Sequence, residues 1–295
     1  MQIWAVVNQK GGVGKTTSAV ALGGLAAAEG KRVLLIDLDP HGSMTSYFGL
    51  NPDRLELSVF TLFQQRKTLT EAIVENLVHT TSQLGLSLLP SSTALATLER
   101  QVIGQDGMGL VLTETLKLLQ PDYDLVIIDS PPLLGVLMIN ALAACTELII
   151  PVQTEHLALK GLERMIHTLQ MMARSRKHPP HYTIVGTMFD RRTQASVSSL
   201  RIIRNAYHEQ TWPGKIPVDT KFRDASKAGV APHVYDPETH GVSAYKSLLK
   251  WLQQRQNGDS SSKILQSNSA NAVNGTLEPK SERALKSKPE SNYGA

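Results

Sequence analysis

A glycine-rich loop between a predicted strand and a predicted helix is the feature that most restricts how this 295-residue chain can fold. The apolar stretch Ile3–Asn8 runs directly into the segment QKGGVGKTT, residues 9–17, and the helical pattern SAVALGGLAAAEG follows. Glycine lets the backbone approach an anion closely, and the N–H groups and dipole at a helix N-terminus attract negative charge. This arrangement predicts a cradle for the phosphates of a nucleotide.

Individual residues of the loop can be assigned to parts of that nucleotide. Lys15 is placed to reach the β- and γ-phosphates, the Thr16 hydroxyl to bind Mg²⁺, and Thr17 to contact the α-phosphate. A glycine loop used only to turn the chain is the alternative, and the flanking strand and helix argue against it. The residues that precede Lys15 and complete the predicted nucleotide-binding loop are Lys10, Gly11, Gly12, Val13 and Gly14.

The loop departs from the common phosphate-binding pattern at its first position. The pattern G-x-x-x-x-G-K-[ST] requires glycine at position 9, where this chain has Gln9, and an additional lysine, Lys10, follows. Lys10 lies at the front of the loop and is poorly directed toward the nucleotide of its own subunit. It is therefore placed to serve a phosphate bound by a second subunit.

Short apolar runs alternate with helix-length amphipathic stretches along the chain. Several runs, such as VLLID and LVIID, are apolar on both faces, which is typical of parallel strands covered by helices on both sides. We predict one α/β domain, a doubly wound, mostly parallel sheet of the P-loop NTPase type with helices on both faces and its ligand at the carboxyl ends of the strands. The predicted strands are Ile3–Asn8, Arg32–Asp37, Leu86–Leu89, Leu125–Asp129, Leu148–Val152 and Tyr182–Phe189. The predicted helices are Lys15–Ala28, Ser91–Leu119, Leu134–Ala144, His156–Ala173 and Ala195–His208.

The composition changes after residue 256. Residues 257–295 are rich in Ser, Asn, Lys and Glu, so burial of apolar surface cannot offset the entropy of ordering them. We predict a domain over 1–256 and a disordered polar tail over 257–295. Apolar runs such as Leu133–Met138 are far shorter than the roughly 20 residues that cross a bilayer, and no secretory signal precedes the first strand. These features favour a cytoplasmic location without stable membrane insertion.

Three aspartates lie at the ends of two predicted buried strands. Asp37 and Asp39 close the stretch VLLIDLD and Asp129 ends LVIID, so their carboxylates should emerge beside the glycine loop. Asp129 is placed to hold Mg²⁺ through water. Ser130, and not a glutamate, follows it, which leaves Asp39 as the best candidate for ordering a water molecule. An N-cap role for Asp37 or Asp39 is the alternative.

The segments KGGVGKTT, VLLIDLDPHGS and LVIIDSPP together resemble the deviant Walker A, second and Walker B motifs of the ParA/Soj/MinD family of ATPases. The match extends from residue 1 to about residue 255. It implies that the nucleotide is ATP with Mg²⁺, that an ATP-dependent homodimer sandwiches two nucleotides, and that hydrolysis is slow. In such a dimer the partner's lysine acts like an arginine finger. The catalytic residues that the resemblance implies are therefore Lys10, Lys15 and Asp39.

Further site residues follow from the same resemblance. It assigns Asp39 to positioning the attacking water, and it adds Asp37 to a Mg²⁺ shell that includes Thr16 and Asp129. The segment TMFDRRT, residues 187–193, and Ile216–Pro217 resemble the family's base-binding elements. The base contacts implied around these two segments are Met188, Asp190, Pro217 and Asp219.

Charge is divided unevenly along the chain, although the net charge is only +4. Residues 1–159 carry 9 Lys/Arg and 15 Asp/Glu, whereas residues 160–256 carry 16 and 7. A basic half of this kind indicates a surface that faces a polyanion. In ParA/Soj relatives, basic residues that match Arg192 and Lys221 lie on the DNA-binding face, and we add Arg223 on its charge alone. We expect DNA binding through phosphates, independent of sequence; an acidic protein surface and an inert surface are the alternatives.

These features predict an ATP-dependent dimerisation switch that positions or segregates a cargo. The segments DPHGS, QTEHLALKGLERM and IPVDTKFRDAS are most similar to those of the ParA homologue encoded with bacterial chemotaxis genes. The expected cargo is accordingly DNA, a plasmid or a chemotaxis protein array, at the nucleoid or at a cell pole. A ParB-like activator or an adaptor to the array is the expected protein partner.

Other classes of protein remain as alternatives to this function. A MinD-like membrane-cycling ATPase requires a C-terminal amphipathic helix, whereas residues 257–295 are polar. A matrix-independent positioner anchored to a protein would use the basic half differently. Lys10 and the segment TMFDRRT argue against a metabolic ligase of the same fold, and the single Cys145 cannot hold an iron–sulfur cluster.

Overall fold

A seven-stranded sheet runs through the part of the chain that the structure describes. This structure is a computed structural model, and it describes residues 1–102, 105–155, 158–173 and 180–255, without the side chains of residues 99, 100 and 173. In chain order the strands are β1 Gln2–Val6, β2 Val33–Asp37, β3 His79–Thr80, β4 Leu86–Leu89, β5 Leu125–Asp129, β6 Glu147–Gln153 and β7 His181–Thr187. They lie side by side in the order β3–β4–β2–β5–β1–β6–β7, and every pair is parallel except β3 and β4.

Helices cover both faces of this sheet, which confirms the predicted α/β fold. Successive residues of a strand point to opposite faces: Leu34 and Ile36 of β2 belong to one large core cluster, whereas Leu35 lies against Gly23 on the other side. The helices are α1 Lys15–Ala28, α2 Ser43–Tyr47, α3 Val59–Gln64, α4 Glu71–Glu75, α5 Leu95–Gln101, α6 Val111–Leu118, α7 Val136–Ala144, α8 Ala158–Ala173, α9 Gln194–Ala206, α10 Lys221–Ala228, α11 Pro232–Tyr235 and α12 over residues 240–255.

The register of the sheet brings the phosphate loop and the aspartates together. Val6 of β1 pairs with Asp129 of β5, and Asp129 pairs with Asp37 of β2. These strands are parallel, so their carboxyl ends share one edge of the sheet. The loop that follows β1 therefore lies next to the carboxylates that end β2 and β5, as the apolar runs predicted.

The single long helix predicted over Ser91–Leu119 is wrong. Helix α5 ends at Gln101, a 3₁₀ turn covers Met108–Leu110, and α6 begins at Val111; residues 103 and 104 lie outside the described part of the chain. Gly107 has a φ of 80°, in the left-handed region that a right-handed helix cannot contain. The apolar spacing continues across this turn because both helices bury side chains in the same core.

The chain divides into the units Met1–Trp251 and Leu252–Ala295. The predicted tail over 257–295 lies outside the described residues, as does its boundary at residue 256. Both therefore stay predictions. Within the described ranges, no helix has the length and apolar character that a bilayer crossing requires.

Candidate nucleotide-binding site

The glycine loop is anchored at both of its ends. Gly12 and Gly14 have φ angles of 74° and 88°, which L side chains rarely adopt. The Asn8 carboxamide oxygen accepts the N–H of Lys10 at 2.9 Å, and the Thr187 hydroxyl donates to the carbonyl of Val13 at 2.9 Å. These two hydrogen bonds fix the loop to the ends of β1 and β7. Sequence reasoning missed Asn8 and Thr187 as supports, because each acts by a contact that the loop motif does not encode.

Lys15 is the first residue of α1 and its side chain lies over the loop. It is only 8% exposed, and its Nζ donates to the carbonyl of Lys10 at 3.3 Å. Burial lowers the pKa of Lys15, and the nearby carboxylates of Asp129 and Asp39 oppose that shift. An ammonium group so placed can neutralise phosphate charge at the centre of the loop, as predicted from the motif.

Thr16 and Asp129 form the part of the site that suits a divalent cation. The Thr16 hydroxyl donates to Oδ2 of Asp129 at 2.6 Å. The other oxygen, Oδ1, is buried and has no hydrogen-bond partner among the described residues. Burial raises the pKa of Asp129, and the adjacent Asp37 raises it further. A bound Mg²⁺ ion would relieve both penalties, because it takes carboxylate, hydroxyl, water and phosphate oxygens as ligands.

Asp37 is completely buried, and the loop that follows β2 already engages its carboxylate. Oδ2 accepts hydrogen bonds from the backbone N–H of Thr45 at 2.8 Å and from the Thr45 hydroxyl at 2.7 Å, and Oδ1 accepts from the N–H of Asp39 at 3.1 Å. Burial raises the pKa of Asp37 in spite of these bonds. Asp37 thus accepts an N–H in the first turn of α2, but the N-cap of that helix is Gly42, so neither Asp37 nor Asp39 takes the N-cap role of the alternative. The place of Asp37 in the Mg²⁺ shell stays a prediction.

Asp39 lines the cleft beside Lys15. Its side chain is 14% exposed, and its Oδ1 accepts the backbone N–H of His41 at 3.0 Å and lies 2.9 Å from Nδ1 of the same residue. The carboxylate is therefore oriented by the turn that it closes. Its role in ordering the attacking water stays a prediction.

Lys10 points away from its own phosphate loop. Its Nζ forms an ion pair with Glu155 and lies 3.4 Å from Oε1 of Gln153, at the end of β6. Lys10 does not line the cleft that Lys15 and Asp39 share. The sequence predicted this direction from the position of Lys10 in the loop, but it did not predict Glu155 as the partner.

Two adjoining cavities extend from the loop. The phosphate compartment, of about 630 Å³, is lined by residues that include Gly12, Lys15, Thr16 and Asp39. The base compartment, of about 550 Å³, is lined by residues that include the predicted base contacts Met188, Pro217 and Asp219. The residues that line both compartments are Gly14, Thr17, Met188, Phe222 and Arg223.

The fourth predicted base contact, Asp190, does not line the base compartment. Its Oδ1 and Oδ2 accept hydrogen bonds from the Arg192 guanidinium at 2.9 and 2.7 Å, and this pairing holds the pKa of Asp190 down at about 2. The structure therefore joins a predicted base contact to a predicted DNA contact. Both roles stay predictions.

The three predicted DNA contacts lie in different surroundings. Arg192 is 83% exposed and paired with Asp190. Lys221 begins α10, with its Nζ 3.9 Å from Asp224 and 5.9 Å from the centre of the Tyr235 ring. Arg223 lines both nucleotide compartments.

Known proteins are similar to this chain in sequence and in fold. A family model described as an AAA domain matches residues 1–179. Sporulation initiation inhibitor protein Soj of Bacillus subtilis is 34% identical over 84% of this chain and 97% of its own length. Chromosome partitioning protein ParA of Myxococcus xanthus is 31% identical over 86% of this chain and 88% of its own length.

Solved structures agree with these matches. A structure described as cobyrinic acid a,c-diamide synthase from Mycobacterium smegmatis, with bound ATP analog and magnesium, is 30% identical with a TM-score of 0.74, and the match covers 87% of this chain and 96% of that one. A putative plasmid partition protein of Borrelia burgdorferi bound to AMPPNP shares the fold, with a TM-score of 0.72, 22% identity and coverage of 86% and 99%. The chain thus belongs to the Soj/ParA family of P-loop ATPases, with ATP and Mg²⁺ as its cofactors, whereas the assignment of its loop, Thr16 and Asp129 to them stays a prediction.

Proposed function

We propose that this ATPase is an ATP-dependent dimerisation switch that hydrolyses ATP slowly and positions or segregates a cargo. The direction of Lys10 is the observation that carries the proposal. Lys10 of the phosphate loop pairs with Glu155 and does not line the compartment that Lys15 and Asp39 share. It has a use in ATP hydrolysis once a second subunit brings another nucleotide within its reach.

The residues of one subunit supply the remaining parts of phosphoryl transfer. Lys15 neutralises charge on the β- and γ-phosphates, and Asp39 orders the attacking water. Thr16 and Asp129 would hold Mg²⁺, which would supply further neutralisation of the phosphate charge. Ser130 donates its hydroxyl to the carbonyl of Val6 at 3.0 Å and offers no base. Turnover that lacks a strong general base and awaits a partner's lysine is slow.

The cargo and the surface along which it moves belong to the same proposal. Arg192 and Lys221 are the candidates for ATP-dependent, sequence-independent DNA binding, whereas Arg223, predicted with them, lines both nucleotide compartments. The relatives named Soj and ParA are partitioning proteins, which favours DNA or a plasmid as the cargo. The similarity of three segments to the ParA homologue of chemotaxis gene clusters favours a chemotaxis array instead, with an adaptor protein at a cell pole. An activator of hydrolysis is required in either case.

The oligomeric state with and without the γ-phosphate tests the switch. Light scattering should find a monomer with ADP and a dimer with ATP. Asp39→Ala should bind ATP, stay dimeric and lose turnover, because the carboxylate acts after assembly. Lys10→Ala should lose turnover even with ATP bound. Lys31→Ala is the matched control, because Lys31 precedes β2 at the opposite edge of the sheet.

Two results would contradict the proposal. A wild-type protein that stays monomeric at saturating ATP would exclude the switch. Wild-type turnover by Lys10→Ala would exclude a role for this lysine in the partner's site. ATP turnover that occurs only when an organic substrate is added would instead indicate a metabolic ligase of the same fold, which the name of the mycobacterial relative suggests.

A further inference from the structure

Arg223 lies where the two nucleotide compartments meet. It lines both of them, together with Gly14 and Thr17 of the phosphate loop. Thr17 is the loop residue assigned to the α-phosphate. A nucleotide whose phosphates lie in one compartment and whose base lies in the other must therefore pass through this junction. Lys15 is the only other lysine or arginine that lines either compartment in the described residues.

The geometry of α10 separates Arg223 from Lys221. An α-helix turns about 100° per residue, so side chains two positions apart point about 200° away from each other. Lys221 does not line either compartment, and its Nζ faces Asp224 and the Tyr235 ring. If Lys221 faces DNA, then Arg223 on the same helix faces a different way, toward the nucleotide cleft.

Helix α10 is fixed to the helix that follows the phosphate loop. The ring of Phe222 packs edge-on against Tyr245 with 5.7 Å between ring centres, and the Tyr245 hydroxyl lies 2.8 Å from the hydroxyl of Ser18 in α1. Oδ2 of Asp219 also accepts the N–H of Gly241 at 3.1 Å. A Cβ at Gly241 would approach the Phe222 ring to 2.3 Å, so this packing needs glycine. Arg223 is therefore carried on a helix that these contacts hold beside the two compartments.

We propose that Arg223 is a nucleotide ligand that binds the α-phosphate of the nucleotide in its own subunit, instead of a DNA contact. No ion pair of Arg223 is present among the described side chains, so its guanidinium is available. A guanidinium binds phosphate oxygens through two parallel N–H donors. The inference rests on the assignment of the loop as an ATP site.

Nucleotide affinities measured by calorimetry test this role. Arg223→Ala should weaken ADP and ATP alike by about tenfold, since both carry the α-phosphate and the variant lacks one charge-assisted bond to it. Adenosine, which has no phosphate, should bind wild type and variant equally. Arg223→Lys should recover part of the affinity. Lys227→Ala is the matched control, because Lys227 lies on the same helix but lines a different groove.

The outcomes distinguish a failure of this inference from a failure of the ATP-site assignment on which it rests. ADP affinity of Arg223→Ala within twofold of wild type would overturn the inference, and so would a loss confined to ATP, which would indicate the γ-phosphate or a partner's nucleotide. If Arg223→Ala binds ADP normally but binds DNA more weakly at saturating ATP, Arg223 is a DNA contact and not a nucleotide ligand. Lys15→Ala tests the ATP site itself. If that variant binds ATP normally, the site assignment fails, whereas if it loses ATP and Arg223→Ala does not, only the inference fails.

Discussion

Lys15 shows how a single side chain carries the chemistry of this site. The residue is nearly buried, Asp39 lines the phosphate compartment with it, and the nearby carboxylates of Asp129 and Asp39 oppose the lowering of its pKa by burial. Its ammonium group balances these negative charges in the described subunit. It is also the charge through which the loop can attract the β- and γ-phosphates, because Lys10 is turned away toward Glu155.

Lys15→Ala should reduce ATP affinity by about thirtyfold or more, since truncation removes a largely desolvated charge partner of the phosphates. Isothermal titration of the purified variant measures this. Lys31→Ala, at the far edge of the sheet, should bind ATP like wild type. Affinity of Lys15→Ala close to wild type would end the assignment of the loop.

The sequence identified the residues whose chemistry is written in a local motif. Lys15, Thr16 and Asp129 meet at one edge of the sheet as expected. The glycine loop and the end of an apolar strand can each be identified from a short stretch of sequence. Glu155, the partner of Lys10, was not found, because 145 residues separate the two and a lone glutamate after a strand carries no signal. The pairing of Asp190 with Arg192 was missed for a different reason. Family resemblance gave the two residues separate roles, and nothing in that resemblance indicates that one binds the other.

Among the elements, α1 contains two neighbouring glycines that decide its packing. A Cβ at Gly24 would lie 2.5 Å from the Cβ of Ala231, and one at Gly23 would lie 2.7 Å from Leu35. Glycine is unfavourable inside a helix by about 1 kcal/mol relative to alanine. Helix α1 accepts this cost because the close approach lets it pack on the sheet and against α11. Gly161 of α8 lies in open space and lacks such a reason.

Gly24→Ala should therefore destabilise the fold by about 1–2 kcal/mol, because overpacking against Ala231 outweighs the gain in helix propensity. Gly161→Ala makes the same chemical change with nothing within 4 Å of the new Cβ. It should stabilise the protein by about 0.5–1 kcal/mol. Urea denaturation followed by circular dichroism gives both values. Equal effects of the two substitutions would show that propensity, not packing, governs α1.

Element prediction succeeded where burial imposed a pattern. Strands β2 and β5 are buried at every residue, and their continuous apolar runs made them visible. Helices α2, α4 and α10 have only five to eight residues, which is too short to show a helical period. In so short a segment the sequence shows no helical period, so charge alone places Arg223 with Lys221. A recognised helix would have separated them by their angular positions alone.

For the whole molecule, the uneven charge sets the strongest test of the DNA proposal. The basic residues of the C-terminal half include Arg192, whose charge is partly neutralised by Asp190 in the described state. Exposed ion pairs of this kind are worth little, so a DNA phosphate can compete for the guanidinium. DNA affinity should then depend on how many such cations two subunits present together.

ATP-loaded protein should bind unrelated DNA sequences equally and lose affinity steeply with salt. The slope of log K against log salt is about −0.9 per neutralised phosphate, so Arg192→Glu should flatten it by nearly one for each phosphate that is no longer neutralised. Arg54→Glu, an exposed change in the acidic half, is the control. Fluorescence anisotropy across a salt series measures both. No DNA binding by the wild type at low salt with ATP would assign the basic half to a protein partner.

The ion pair between Lys10 and Glu155 has a consequence for how salt acts on the proposed cycle. On dimerisation Lys10 would leave a carboxylate for a phosphate, so one ion pair replaces another and few counterions are released. DNA binding, in contrast, releases the counterions that DNA phosphates hold. The monomer–dimer equilibrium should therefore vary little across a range of salt in which DNA binding disappears. Ionic strength would then act on DNA binding alone, and ATP would act on dimerisation.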